Sequence, residues 1–201
     1  MSYRNLRKLL LALGFLVVFV YAAYTGADLP KNGQYVDRLS GKAVPIDPSV
    51  TFEYGKPIQI AYVVDGDTAQ LINGEYVRYI GIDTPEEFDP RKPEQCYAKE
   101  AAAENRKLVQ GQYVVIQKEI TERDKYGRIL GYLYLSDGTF VNKKLVEDGF
   151  AFAYPYKPDT AKADEFAAAE VAAKEAKHGL WSVCTTYRLS GGREQTNDLG
   201  R

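Results

Sequence analysis

The chain has one histidine, two cysteines and almost no net charge, and each scarcity removes a class of protein. A single histidine, His178, cannot build a multi-histidine metal site. At the end of a helical run it suits a partner for the helix dipole better than a general base. Two cysteines without histidines nearby make a poor zinc site, although an even count permits one disulfide. The formal net charge is −1, so no broad basic surface is available for a polyanion. That argues against a coat protein that binds nucleic acid irrespective of sequence; any phosphate contact has to be local. No internal repeat is evident.

Acidic residues are missing altogether from the first 27 positions. There Arg4, Arg7 and Lys8 precede an apolar stretch, Leu9 to Ala23, interrupted only by Gly14. Removing those three from the 26 Lys and Arg leaves 23 against 27 Asp and Glu, a mildly acidic remainder. A charged segment followed by an apolar one is the pattern of an export signal. Extended to Ala27 the apolar window nears the roughly 20 residues that span a bilayer. Ala22, Ala23, Gly26 and Ala27 offer cleavage points, whereas Tyr21 and Tyr24 suit a membrane interface. The expectation for 1–27 is a signal peptide or membrane anchor, with the remainder extracytoplasmic, secreted or membrane-anchored. A buried core helix is the weaker alternative, since nothing polar marks an outer face. In an oxidising compartment Cys96 and Cys184 are expected to pair, the alternative being two buried free thiols. A bridge would close a loop of nearly ninety residues, which chain entropy values at about 4 kcal/mol.

What is abundant is tyrosine, 16 in all, within a 45% hydrophobic composition that suits one globular domain with flanking segments. Residues 28–55 carry Pro30, Gly33, Gly41, Pro45 and Pro48 and read as an irregular linker. The domain is expected over 56–184. The polar tail 185–201, with Gly191 and Gly192, is expected to be disordered.

Within the domain, alternation from Ile58 to Val64 predicts a strand. Asp65-Gly66-Asp67 turns the chain, and Thr68 to Ile72 runs back. Asn73-Gly74 is a strong hairpin signal, and Tyr76 to Ile82 forms the third strand of a meander. Gly81 inside that strand marks a bulge or a close backbone approach. A helix follows from Glu94 or Cys96 to Val109, with Ala98, Ala101, Ala102, Asn105 and Leu108 near a helical period. Tyr113 to Ile120 and Ile129 to Leu135 are further strands. Val141 to Asp148 is a short helix, Ala151 to Lys157 is extended, and Ala161 to Lys177 is an alanine-rich helix ended near Gly179. The fold class is α+β. Five strands with a helix between the third and fourth resemble an oligonucleotide-binding (OB) type Greek-key β-barrel with about three helices, plus the N-terminal apolar helix.

Three clusters carry chemistry. Asp65-Gly66-Asp67-Thr68 sits at a turn, where Asp-Gly is also ordinary turn chemistry. Arg78 precedes Asp83, Thr84 and Glu86. Five positions apart in a regular strand, Arg78 and Asp83 would face opposite sides unless Gly81 breaks the alternation. Asp124-Lys125-Tyr126-Gly127-Arg128 is a polar loop. Together the carboxylates and a main-chain carbonyl make a hard-oxygen site suited to calcium rather than zinc. Two arginines can clamp a phosphate, and a glutamate can deprotonate water. Metal, base and arginines make a kit for phosphodiester hydrolysis.

These motifs, followed by Ala153-Tyr154-Pro155-Tyr156-Lys157-Pro158 and by Trp181-Ser182 after the late helix, resemble the thermonuclease (staphylococcal nuclease) family from about Ile58 to Ser182. The resemblance implies a calcium-dependent endonuclease acting on DNA and RNA and leaving 3′-phosphate ends. It implies Asp67, Asp83 and the Thr84 carbonyl as calcium ligands, with Asp65 behind them. It implies Glu86 as general base, Arg78 and Arg128 on the scissile phosphate, and Lys125, Tyr126, Tyr154 and Tyr156 lining a nucleotide subsite. The hairpin between Asp67 and Arg78 is shorter than in the family's best-known member, and the surface is less basic. The alternative is a non-catalytic nucleic-acid-binding OB-type module. No obligate protein partner is evident.

Overall fold

The computed structural model describes residues 46–87 and 93–199, together with the backbone of two short strands upstream. The apolar stretch Leu9–Ala23 lies outside the described residues, so the expected N-terminal helix, whether signal or anchor, does too. Among the described residues no helix is long and apolar enough to cross a membrane.

The elements follow in the order β1 (Tyr35–Val36), β2 (Ala43–Val44), β3 (Pro57–Val63), β4 (Thr68–Leu71), β5 (Tyr76–Tyr79) and β6 (Ile82–Asp83). Helix α1 (Ala98–Val109) comes next, then β7 (Tyr113–Gln117), β8 (Ile129–Leu135), α2 (Val141–Glu147) and β9 (Phe152–Ala153). Helices α3 (Ala163–Glu175) and α4 (Leu180–Val183) and strands β10 (Thr186–Arg188) and β11 (Glu194–Thr196) complete the chain. Strands β3, β4, β5, β8 and β7 close in that order into a barrel, with β5 and β8 parallel and the other neighbours antiparallel. The barrel interior is filled by Ile58, Ile60, Val63, Leu71, Val77, Ile116, Ile129 and Leu133. The expected alternation of β3 holds only to Ile60. A register shift between Ile60 and Tyr62 then turns Val63, rather than Tyr62, into the core.

Four further expectations are corrected. The third strand does not run through to Ile82: β5 stops at Tyr79, and β6 leaves the barrel to pair with β9. Among the described residues four helices form rather than about three, the additional one being the single turn α4. The segment read as a linker contributes Val50, Phe52 and Tyr54, which pack on the core, and Asp47 N donates to Ile72 O at 2.7 Å.

The fourth correction concerns the polar tail, which is an ordered hairpin. β10 and β11 pair in register, and Leu189 N donates to Arg193 O at 2.8 Å across a turn with Gly192 at φ 84°. Only a residue free of Cβ adopts that conformation at little cost. The hairpin is tied down as well. Thr196 Oγ1 donates to Cys96 O, Cys96 N donates to Asn197 O, and Cys96 is bonded to Cys184 at the hairpin's root.

Candidate active site

The site forms where two tight turns face each other. The β3–β4 turn is closed by its own carboxylate, since Asp67 N donates to Asp65 Oδ1 at 3.0 Å. It is held from behind by Asn105 of α1, whose amide donates to Asp65 O and whose Oδ1 accepts from the buried Tyr79 hydroxyl, both at 2.9 Å. The second turn is Ile80-Gly81. Gly81 has φ 79°, and a Cβ there would collide with the Phe166 ring of α3. Asn142 of α2 clamps this break, donating to Ile80 O and accepting from Leu133 N at 2.9 Å each. Strand β5 therefore ends, and the chain re-enters as β6 with Asp83 rotated to the side of Arg78.

Arg78 is the centre of the cluster. Its Nη2 lies 2.9 Å from Asp67 Oδ2 and 3.2 Å from Asp83 Oδ1. Its Nη1 donates to the carbonyls of Tyr79 and Ile82 at 3.0 and 3.1 Å. Thr84 N donates to Asp67 Oδ2 at 2.9 Å, fixing the Asp83-Thr84 turn against the first hairpin. Asp67, Asp83 and Thr84 are all buried. Burial, and then repulsion from Asp67 and Glu86, pushes the Asp65 carboxyl well above its ordinary range. Burial also raises Asp83; Arg78 opposes that shift and Asp67 adds to it. For Arg78 burial works against the charge, but Asp67 and Asp83 outweigh it and hold the guanidinium firmly protonated.

The remaining predicted residues surround this centre. Glu86 N donates to Gln95 Oε1 at 2.7 Å and Gln95 N returns to Glu86 O at 3.0 Å, so the Glu86 backbone is gripped from both sides. Arg128 is reached through a self-closed loop. Asp124 Oδ1 accepts from the amides of Tyr126 and Arg128, and Asp124 Oδ2 accepts from Arg128 Nε at 2.7 Å. Arg128 Nη1 then lies 3.5 Å from the Thr68 hydroxyl, beside Asp67. Lys125 and Arg128 flank the exposed Tyr126 ring at 5.0 and 5.6 Å. Tyr154 and Tyr156 stack on each other with centroids 6.4 Å apart. They meet the cluster through Arg193, 5.8 Å over the Tyr154 ring.

Sequence reasoning missed Arg193, Gln95, Asn105 and Asn142. Asn105 had a signal, a polar side chain in an otherwise apolar helical stripe. Arg193 follows a Gly-Gly pair that marks a hairpin, but nothing local says where its guanidinium goes.

Among the described residues no group of three or more His, Cys, Asp or Glu side chains is placed to hold a metal ion. The oxygens on offer are two buried carboxylates, Asp67 and Asp83, and the Thr84 carbonyl. That donor set fits calcium in kind, since it is all hard oxygen with no imidazole or thiolate.

A closed five-stranded barrel carrying guanidinium groups, carboxylates and tyrosines around its strand ends belongs to the OB class of architecture. Within that class the model for the staphylococcal nuclease homologue family matches residues 76–183, and the chain belongs to this family. It is 40% identical over 124 residues to Endonuclease YncB of Bacillus subtilis (strain 168), covering 59% of this chain and 58% of YncB. The same identity and length hold for the SPbeta prophage-derived endonuclease YokF of that organism, of which 42% is covered. With the Thermonuclease of Staphylococcus hyicus the identity is 34% over 127 residues, covering 62% of this chain and 75% of that protein. The chain thus spans less than two thirds of the two Bacillus relatives.

Proposed function

We propose that the protein is a calcium-dependent endonuclease that hydrolyses phosphodiester bonds of DNA and RNA and leaves 3′-phosphate ends. The observation that carries the reading is the placement of Arg78 between Asp67 and Asp83, with Arg128 reaching Thr68 beside the same carboxylate. Asp67, Asp83 and the Thr84 carbonyl would hold the ion. Bound calcium would neutralise and polarise the phosphodiester. Arg78 and Arg128 bind its non-bridging oxygens and stabilise the charge that grows there during attack. Glu86 takes a proton from water as the water oxygen bonds to phosphorus and the bond to the 5′ oxygen breaks. The leaving oxygen is protonated by solvent. Lys125, Tyr126, Tyr154 and Tyr156 contact the adjoining nucleotide by charge and stacking. Membership of the family and the names of the endonuclease and thermonuclease relatives support this reading.

We place the activity outside the cytoplasm, in a secreted or membrane-anchored protein. The Cys96–Cys184 bond belongs to oxidising surroundings, and the apolar stretch Leu9–Ala23 agrees. One observation favours the alternative of a non-catalytic binding module, namely the engagement of Asp83 by Arg193. Digestion of single-stranded DNA and RNA with calcium, then with excess chelator, separates the two. The endonuclease cleaves both and stops on chelation. Binding without cleavage at any calcium concentration would establish the module, and cleavage that survives chelation would remove calcium from the reaction.

A further inference from the structure

Arg193 arrives at the site from the C-terminal hairpin, 110 residues beyond Asp83. Its Nε donates to Asp83 Oδ2 at 2.5 Å and its Nη2 to Oδ1 at 3.0 Å, a two-pronged grip on one carboxylate. Asp83 Oδ1 also takes Arg78 Nη2, so both oxygens of this buried carboxylate are spoken for. The same guanidinium lies over the face of Tyr154. The backbone that delivers it is built for the purpose. The turn at Gly192 reverses the chain, Glu194 is anchored to Lys174 at 3.1 Å, and the disulfide with the Cys96–Asn197 and Cys96–Thr196 contacts secures the root.

We propose that Arg193 is a built-in competitor for the cation position at Asp83, and that it sets the calcium concentration at which the site fills. The proposal rests on the reading of Asp83 as a calcium ligand. A guanidinium and a calcium ion cannot both take the same carboxylate oxygens, so each ion bound must first turn Arg193 away. The cost of that exchange is subtracted from calcium affinity. Arg78 also holds Asp83 Oδ1 through Nη2, at 3.2 Å, but its Nη1 bonds to the carbonyls of Tyr79 and Ile82 tether that guanidinium beside the site, whereas Arg193 can swing away. Among the described residues the Arg193 guanidinium meets Asp83 and the Tyr154 face, and its side chain is one-third exposed, with a path to solvent. Once displaced it uncovers the Tyr154 ring, so filling the cation position and opening the stacking surface become one event.

The test is calorimetric titration of the full chain with calcium, in the absence of substrate, for wild type, Arg193→Gln, Arg193→Lys and Asp83→Asn. Loss of a paired, charge-assisted contact predicts that Arg193→Gln binds calcium about tenfold tighter or more. Arg193→Lys, a point charge without the fork, is expected between the two and keeps the test valid if the glutamine variant folds poorly. Asp83→Asn should bind more weakly than wild type. In the wild type the Arg193 Nε–H resonance should shift toward that of a solvated guanidinium as calcium is added. Unchanged or weaker binding in Arg193→Gln and Arg193→Lys, with Asp83→Asn still impaired, overturns the competitor and leaves the metal reading standing. Wild-type affinity in Asp83→Asn overturns both.

Discussion

Arg78 and Asp83 are five residues apart, yet Arg78 Nη2 donates to Asp83 Oδ1 at 3.2 Å. A continuous strand would have set them on opposite faces. The left-handed turn at Gly81 removes that constraint, and the Phe166 ring and the Asn142 amide hold the break in place. The site is therefore supported by the core rather than by the loops alone.

Gly81→Ala tests this support. The substitution meets unfavourable backbone geometry, costing about 1–2 kcal/mol, and overpacks against Phe166 by a further 1–3 kcal/mol or so. Urea unfolding should show a loss in the range of about 2–5 kcal/mol. The double variant with Phe166→Leu should recover the packing part and leave the backbone part. Full recovery would show that the positive φ carries no cost.

The two arginines should separate by stability. Arg128 is partly exposed and held by Asp124, so Arg128→Ala should lower turnover by about 10²-fold or more with at most about 1 kcal/mol lost in unfolding. Arg78→Ala should lower turnover at least as much and also strip the buried Asp67 and Asp83 of their shared partner, costing about 3–5 kcal/mol. Equal unfolding curves for the two variants would contradict this assignment.

Glu86→Gln tests the proposal that Glu86 is the base. Gln95 grips main-chain atoms of residue 86, so the variant keeps those contacts and its stability. Turnover should fall by about 10²-fold or more, and the acidic limb of the pH–rate profile should change with it. An unaltered rate and profile would move the proton acceptor elsewhere.

The Cys96–Cys184 bond spans 88 residues and secures the root of β10. Chain entropy sets an upper value of about 4–5 kcal/mol, and replacement of both cysteines by serine should cost about 2–4 kcal/mol in denaturant unfolding. Because the bond sits at the hairpin root, proteolysis of the unreduced and reduced proteins should differ first around Leu189–Arg193. Cleavage beginning elsewhere would show that other contacts suffice to hold the hairpin.

Tyr54 makes a pH prediction remote from the site. Its hydroxyl donates to Glu122 O at 2.7 Å, and burial, then the charge of Glu122, pushes its pKa up to about 12. The folded value lies above the ordinary 10, so the stabilisation is complete below pH 10 and is lost as pH rises through 12. Stability measured across that interval should fall, and Tyr54→Phe should make the fall shallower. An identical alkaline profile in Tyr54→Phe would assign the loss to other phenols.

Much was legible in the residues themselves. Alternation at Ile58 and Ile60, the Asn73-Gly74 turn and the alanine stripe of α1 state their local structure, because strand, turn and helix preferences act over a few positions. The family motifs carried Asp67, Arg78, Asp83, Glu86 and Arg128 as candidates. Glycine at 81 announced a break, though not that β6 would leave the barrel for β9. The register shift after Ile60 and the ordered tail were not legible, since each depends on partners distant in the chain. Arg193 shows the limit most plainly. Its arrival at Asp83 requires a barrel that closes, a disulfide at the hairpin root and a turn at Gly192, acting together across 110 residues. The sequence by itself determined which side chains could do chemistry. Only the tertiary structure decided which of them share a carboxylate, because charge pairing depends on distance in space and not on separation along the chain.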